Sequence, residues 1–165
     1  MWPLILTAFL FGLAAYIFVY GAVFIPLPRS TIKKILRLAK VGRKDVVYDL
    51  GCGDGRVLIE AAKMGARAVG VENNPLLCWL SKLNVEKNNL GNKIKIICGN
   101  FFRQNLRGAT VVVVYLSQKL NDRLQAKLER ELCASTRVVS ADHTFKWKEI
   151  KRIKTGHFYS HLYKI

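Results

Sequence analysis

Two acids and a run of glycines are the residues of this sequence best placed to do chemistry. Asp49-Leu50-Gly51-Cys52-Gly53-Asp54-Gly55 follows a strand-like run at 46–50 and leads into a helical pattern that begins at Arg56. Glycines at such a junction let the backbone turn sharply and let a ligand lie against the main chain. The helix N-terminus adds unpaired N–H groups that suit a carboxylate or phosphate. Seventeen residues after Gly55, Glu72 ends the next strand-like run, where a carboxylate accepts both hydroxyls of a ribose. Together these describe a nucleoside-bearing cofactor bound across the ends of two strands. A dinucleotide fingerprint G-x-G-x-x-G is broken by Arg56, and G-x-x-x-x-G-K-[ST] occurs nowhere. Asp49 is awkward beside a pyrophosphate and well suited to an ammonium group.

D-L-G-C-G-D-G followed by V-G-V-E resembles the cofactor motifs of class I S-adenosylmethionine-dependent methyltransferases. The resemblance implies that Asp49 addresses the methionine ammonium, Gly51, Cys52 and Gly53 line the cofactor, and Glu72 with Asn73 holds the ribose. It places Asn100 at the adenine edge. Phe101 and Phe102 then either cover the adenine face or belong to the core. Further markers resemble the small archaeal protein-lysine methyltransferases and their membrane-tethered mitochondrial relatives. They are Pro26-Leu27-Pro28, Gly70-Val71-Glu72-Asn73-Asn74-Pro75, Gly99-Asn100-Phe101-Phe102 and the strand Thr136-Arg137-Val138-Val139-Ser140. By that likeness the expected cofactor is S-adenosyl-L-methionine and the reaction is methyl transfer to a lysine ε-amine. Asn105 stands where these relatives often carry an acid, and Phe145-Lys146-Trp147 replaces their Gly-Trp approach to the substrate.

A lysine acceptor must shed a proton from an amine of pKa near ~10.4, which a dehydrated channel favours. The fourth strand ends in Val114-Tyr115-Leu116-Ser117, without the [DN]-P-P-[YF] of enzymes that methylate bases or glutamine. Tyr115 is a candidate for orienting an amine, or else a packing residue. Asp142 and His143, after the fifth strand, are candidates for contacting substrate or accepting a proton. Two other acceptor classes stay open, a membrane-resident lipid or quinone and RNA, as does a non-catalytic cofactor-binding relative.

Strand and helix patterns alternate from Arg29 onward, as in a mostly parallel sheet with helices on both faces. Ser30 or Thr31 is expected to cap a short helix, with strands at 46–50, 68–72, 93–98, 110–116 and 136–141. Helices are expected at 56–64, from Pro75 to about 91, and at 121–133. Two more strands, 149–154 and 158–165, meet at Thr155-Gly156. With the family resemblance this becomes a seven-stranded Rossmann-like α/β domain over 26–165.

No charged side chain precedes Arg29, and residues 2–25 are apolar apart from one Thr and two Tyr. At about 1.5 Å per residue the stretch is long enough for a hydrocarbon core of roughly 30 Å, so 1–25 is expected to be one transmembrane anchor. Seven basic residues at 29–44 then put the domain on the cytoplasmic side of a cell membrane, crossed once. The 27 Lys+Arg against 11 Asp+Glu give a net charge of +16, which suits an anionic lipid surface and a membrane-protein substrate. Membrane proximity already accounts for that excess, so nucleic acid is not an expected partner. With 51% hydrophobic residues the chain is not disordered. The four cysteines form no C-x-x-C pair and have no histidine at ligand spacing, so neither a metal nor a disulfide framework is expected. Core thiols in a reducing compartment are.

Overall fold

A computed structural model describes residues 2–20 and 24–165 of the chain. The uncharged N-terminal run forms α1 (Trp2–Tyr20), a helix of 19 residues. Among the described residues no helix is long and apolar enough to cross a membrane. Met1 and residues 21–23, which the expected anchor includes, lie outside the described residues, so the transmembrane helix expected from the sequence is not found among them.

Helix α2 (Arg29–Leu38) starts earlier than a Ser30 or Thr31 cap would allow. Pro28 takes the N-cap position without a side-chain bond, and its carbonyl accepts from the Ile32 N–H at 3.0 Å. Proline's fixed φ and missing N–H suit the entry to a helix, which leaves the hydroxyls unneeded. One face of α2, with Ile32, Ile35 and Leu36, is buried.

The remaining elements alternate in chain order: β1 (Val46–Leu50), α3 (Arg56–Lys63), β2 (Arg67–Glu72), α4 (Pro75–Lys87), β3 (Ile94–Cys98), β4 (Val111–Val114), α5 (Gln118–Glu131), β5 (Arg137–Ala141), β6 (Lys151–Lys154) and β7 (Tyr159–Lys164). They build one seven-stranded sheet in the order β3-β2-β1-β4-β5-β7-β6. The first five strands are parallel, and β7 inserts antiparallel between β5 and β6. The Rossmann-like α/β architecture expected from the sequence is therefore present. Strand order reverses between β1 and β4, which opens a crevice at the carboxyl ends of those strands.

Strand β4 shows why the sheet needs helices on both sides. Val111 and Val113 join a core with α2 and α3, whereas Val112 and Val114 join one with Leu124 and Leu128 of α5. A strand buried on both faces reads as an unbroken apolar run. It stops at Val114, two residues before the expected end, and Tyr115 and Leu116 turn instead to the crevice.

The cysteines differ from expectation. Cys78 on α4 and Cys98 at the end of β3 form a disulfide, with Cα atoms 5.8 Å apart. Helix α4 leads into β3 and packs back on it, which brings together two positions that share no sequence motif. Cys52 is a buried free thiol, and Cys133 is free and exposed.

Candidate active site

The loop after β1 is shaped by what surrounds it. Gly53 has φ +55°, and a Cβ there would stand 2.4 Å from the Phe24 ring. Gly55, the N-cap of α3, has φ +81°, and a Cβ there would meet Ser81 Oγ at 2.5 Å. A side chain at either position would have to bear both the left-handed backbone and the clash. Asp54 between them lines the cavity as an already paired acid. Its carboxylate takes a forked ion pair from Arg56 at 2.6–3.1 Å, while Arg56 Nη1 also donates to the Leu27 carbonyl at 3.0 Å.

Glu72 closes this loop from β2. One carboxylate oxygen accepts the Gly53 N–H and the other accepts the Asn74 N–H, both at 2.9 Å. Asn74 in turn caps α4, its Oδ1 accepting from Leu76 N–H at 2.9 Å and Leu77 N–H at 3.3 Å. The same carboxylate that is expected to face a ribose therefore also fixes the loop that carries it. Asp49 is buried beside Glu72 and Asp54, and its carboxyl is pushed up to about 8, first by burial and then by those two charges. An unpaired acid held next to another acid has a place for a cation. The Cys52 thiol is also pushed up by burial, then by Asp49 and Glu72, so it is not a thiolate nucleophile.

A cavity of about 390 Å³ opens at this edge. It brings together Asp49, Gly51, Cys52, Gly53, Glu72, Asn73, Asn100 and Phe101, with Tyr115 on the β4 side. Asn100 follows β3 and caps a short 3-10 turn, its Oδ1 accepting the Phe102 N–H at 2.8 Å. Phe101 and Phe102 are half-buried, with ring centroids 4.7 Å apart, and the Arg123 guanidinium stands 5.0 Å over Phe102. Tyr115 stacks on Phe158 of the segment before β7 at 5.6 Å, and burial, then Asp142, raises its phenol pKa.

Asp142 and His143 are not among the residues that line this cavity, while Asp142 lies close enough to Tyr115 to act on its phenol. Asp142 sits at φ +72°, its N–H given to the Tyr159 carbonyl, while the His143 carbonyl accepts from Ser140 Oγ. The turn after β5 is thus held by its backbone, and both side chains point into partial exposure. What the sequence reading missed is the wall made by Phe24, Ile25, Pro26 and Leu27. The Pro26-Leu27-Pro28 marker is visible in the sequence, yet nothing in it says that the chain passes over the glycine loop. Phe158 is likewise unremarkable there, one alternating apolar residue among others.

Comparison with known proteins agrees with this geometry. The family model described as the ANTKMT methyltransferase domain matches residues 49–152. A protein-lysine N-methyltransferase of Saccharolobus islandicus is 40% identical over 85% of this chain and 90% of its own length. The mouse adenine nucleotide translocase lysine N-methyltransferase is 33% identical over 66% of this chain, which spans about half (48%) of that longer relative. A human lysine N-methyltransferase named for ATP synthase is 31% identical over 74% of this chain and 52% of its own length. Among solved structures, an RNA methyltransferase from Salinibacter ruber in complex with S-adenosyl-L-homocysteine superimposes with a TM-score of 0.84. It is 33% identical and covers 86% of this chain and 94% of its own. With the family model matching more than half of the chain and a relative 40% identical over most of it, the chain belongs to the ANTKMT methyltransferase domain family.

Proposed function

We propose that this methyltransferase modifies the ε-amino group of lysines in membrane proteins, working from the cytoplasmic face of a cell membrane to which residues 1–25 tether the domain at 26–165. It is an S-adenosylmethionine-dependent enzyme, and the residues present fit that cofactor. The cavity has the size of a small-molecule site. Asp49 supplies an acid for an ammonium, Glu72 and Asn73 suit ribose hydroxyls, Asn100 with Phe101 suits an adenine, and Gly51, Cys52 and Gly53 leave room along the main chain. When bound, the cofactor supplies an activated methyl group on a cationic sulfur for in-line displacement by an amine.

The chain's own part is positioning. Burial and the nearby Asp142 keep the Tyr115 phenol protonated and neutral, so its oxygen accepts from an amine N–H without itself ionising. Phe158 holds that ring by stacking. Apolar walls from Phe24, Leu27, Leu116 and Leu120 disfavour a charged ammonium and so promote loss of its proton before transfer.

The observation that carries the lysine reading is the 40% identity, over nearly the whole archaeal relative, to a protein-lysine N-methyltransferase. Membrane-protein targets are supported by the relatives named for ATP synthase and for the adenine nucleotide translocase. A second reading, RNA methylation, draws on the Salinibacter ruber structure and on the +16 charge. Incubating the full chain and labelled S-adenosylmethionine with membranes and total RNA from cells lacking the enzyme separates the two. Label in a membrane-protein fraction that hydrolyses to methyl-lysine is expected, whereas label in RNA, lipid or quinone overturns the reading.

A further inference from the structure

Helix α4 is apolar on two opposite faces, and the sheet uses only one of them. Cys78, Ser81 and Val85 point inward and are buried. Leu76, Trp79, Leu80 and Leu83 recur at three- and four-residue spacing on the outer side, with Leu76 59% and Trp79 58% exposed. Lys87 extends this stripe by one turn and Lys82 borders it, with Glu86 the one acid on the helix. Leu77, next to Leu76 on the same helix, lines the cavity, as do Phe24 and Ile25, themselves 40% and 61% exposed.

From this we infer that the outer face of α4 docks in the interfacial layer of an anionic lipid bilayer and holds the cavity mouth at headgroup depth. This deepens the proposed function and rests on it only for the reason why such a placement is useful. A convex helix stripe with few polar groups offers a protein partner little specific hydrogen bonding, whereas it matches a helix lying flat in a membrane surface. Tryptophan is favoured at that depth because its ring is apolar and its N–H polar. The lysines at the stripe's end and side reach outward to lipid phosphates while their stems cover apolar surface. A net charge of +16 favours an anionic surface and opposes pairing with a second copy of the chain. Continuity supplies the remaining argument, since Phe24 and Ile25 belong to the segment that follows the uncharged α1.

The test uses the full chain labelled with 5-fluorotryptophan in nanodiscs of phosphatidylcholine and phosphatidylglycerol, with and without nitroxide-labelled lipid. Three fluorine signals are available, from Trp2, Trp79 and Trp147, assigned by single Trp→Phe changes. Trp147 is the internal control, because it packs on Phe145 and Tyr163 at the other end of the sheet. The expected result is that Trp79 loses most of its intensity with nitroxide lipid, and loses it less in discs of phosphatidylcholine alone, while Trp147 keeps its own. A Trp79 signal that stays sharp, equal broadening of Trp147, or a Trp79 shift only on adding a membrane protein each overturns the inference. The last result would assign the face to a protein partner. Because this readout needs no turnover, it separates from the labelling experiment: label in RNA with Trp79 broadened refutes the lysine reading alone, and methyl-lysine with Trp79 sharp refutes the lipid face alone.

Discussion

On the β1–β2 side of the cavity, main-chain N–H groups hold the functional side chains. Gly53 and Asn74 clamp Glu72, and Arg56 pairs with Asp54. On the β4–β5 side no comparable frame exists among the described residues. Tyr115 leans on Phe158, which arrives from the β6–β7 hairpin, and the turn carrying Asp142 and His143 satisfies its own backbone outside the cavity. The hydrogen bonds that hold Glu72 on the first side join residues 53 to 74, whereas Tyr115 on the second needs a partner more than forty positions away. A local frame suits a ligand of fixed shape, and an assembly of distant aromatics can change its opening without disturbing that frame. The contrast predicts that substitutions on the first side damage cofactor binding and folding together, while those on the second alter turnover alone.

The largest effect should come from Glu72→Ala. It removes a ribose acceptor and leaves two buried N–H donors without their partner, each at a cost of about 1–3 kcal/mol. Cofactor affinity by calorimetry and thermal stability should fall together, and Glu72→Gln, which keeps one acceptor oxygen, should fall less in both. If Glu72→Ala binds cofactor like the parent chain, the two functions assigned to this carboxylate do not coincide.

Asp49 sharpens the same side through pH. Below about pH 4 its carboxyl is protonated whether the chain is folded or unfolded. Between there and about 8 the folded chain keeps a proton that the unfolded chain releases, because burial and then Glu72 and Asp54 raise the pKa to about 8. Its contribution to stability is therefore full at low pH, is lost as pH rises through that window, and levels off above it. A cationic ammonium needs the carboxylate, so binding below pH 8 should release a proton, and affinity should rise by up to about tenfold per pH unit. Calorimetry in buffers of different ionisation enthalpy measures this release. Asp49→Asn should abolish it and flatten the pH dependence of the unliganded chain's melting temperature, and a proton release that survives the change would place the titrating group elsewhere.

The same contrast explains what could be read from residues alone. The glycine loop, Glu72, the strand alternation and the turn at Thr155-Gly156 are short-range features whose backbone demands leave a mark on residue type. Burial on both faces made β4 legible for the same reason. The disulfide between Cys78 and Cys98, the Phe24–Leu27 wall and the stacking of Phe158 on Tyr115 depend on how α4 folds back on β3 and where the hairpin ends. No local pattern encodes those meetings. Asp142 and His143 could be named from their place after a strand, but the positive φ of Asp142 and the Ser140 bond that shape their turn leave no mark on residue type.

The smallest effects, on the acceptor side, should divide Tyr115 from His143. Tyr115→Phe keeps the ring that stacks on Phe158 and removes only the hydroxyl, so folding and cofactor affinity should hold. If the phenol oxygen orients the amine, kcat should fall by about tenfold, the scale of one hydrogen bond lost in the transition state. His143→Ala deletes a partly exposed ring outside the cavity, and exposed changes of that kind shift free energies by within about 0.5 kcal/mol. Its kcat/KM should stay within about twofold of the parent at pH 6 and pH 8 alike. Measuring both variants across that range decides between orientation and proton transfer. A tenfold loss in His143→Ala would instead make the histidine a substrate-side group reached by movement of the β5 turn. Parental kcat in Tyr115→Phe would leave desolvation by the aromatic and aliphatic walls as this side's whole contribution.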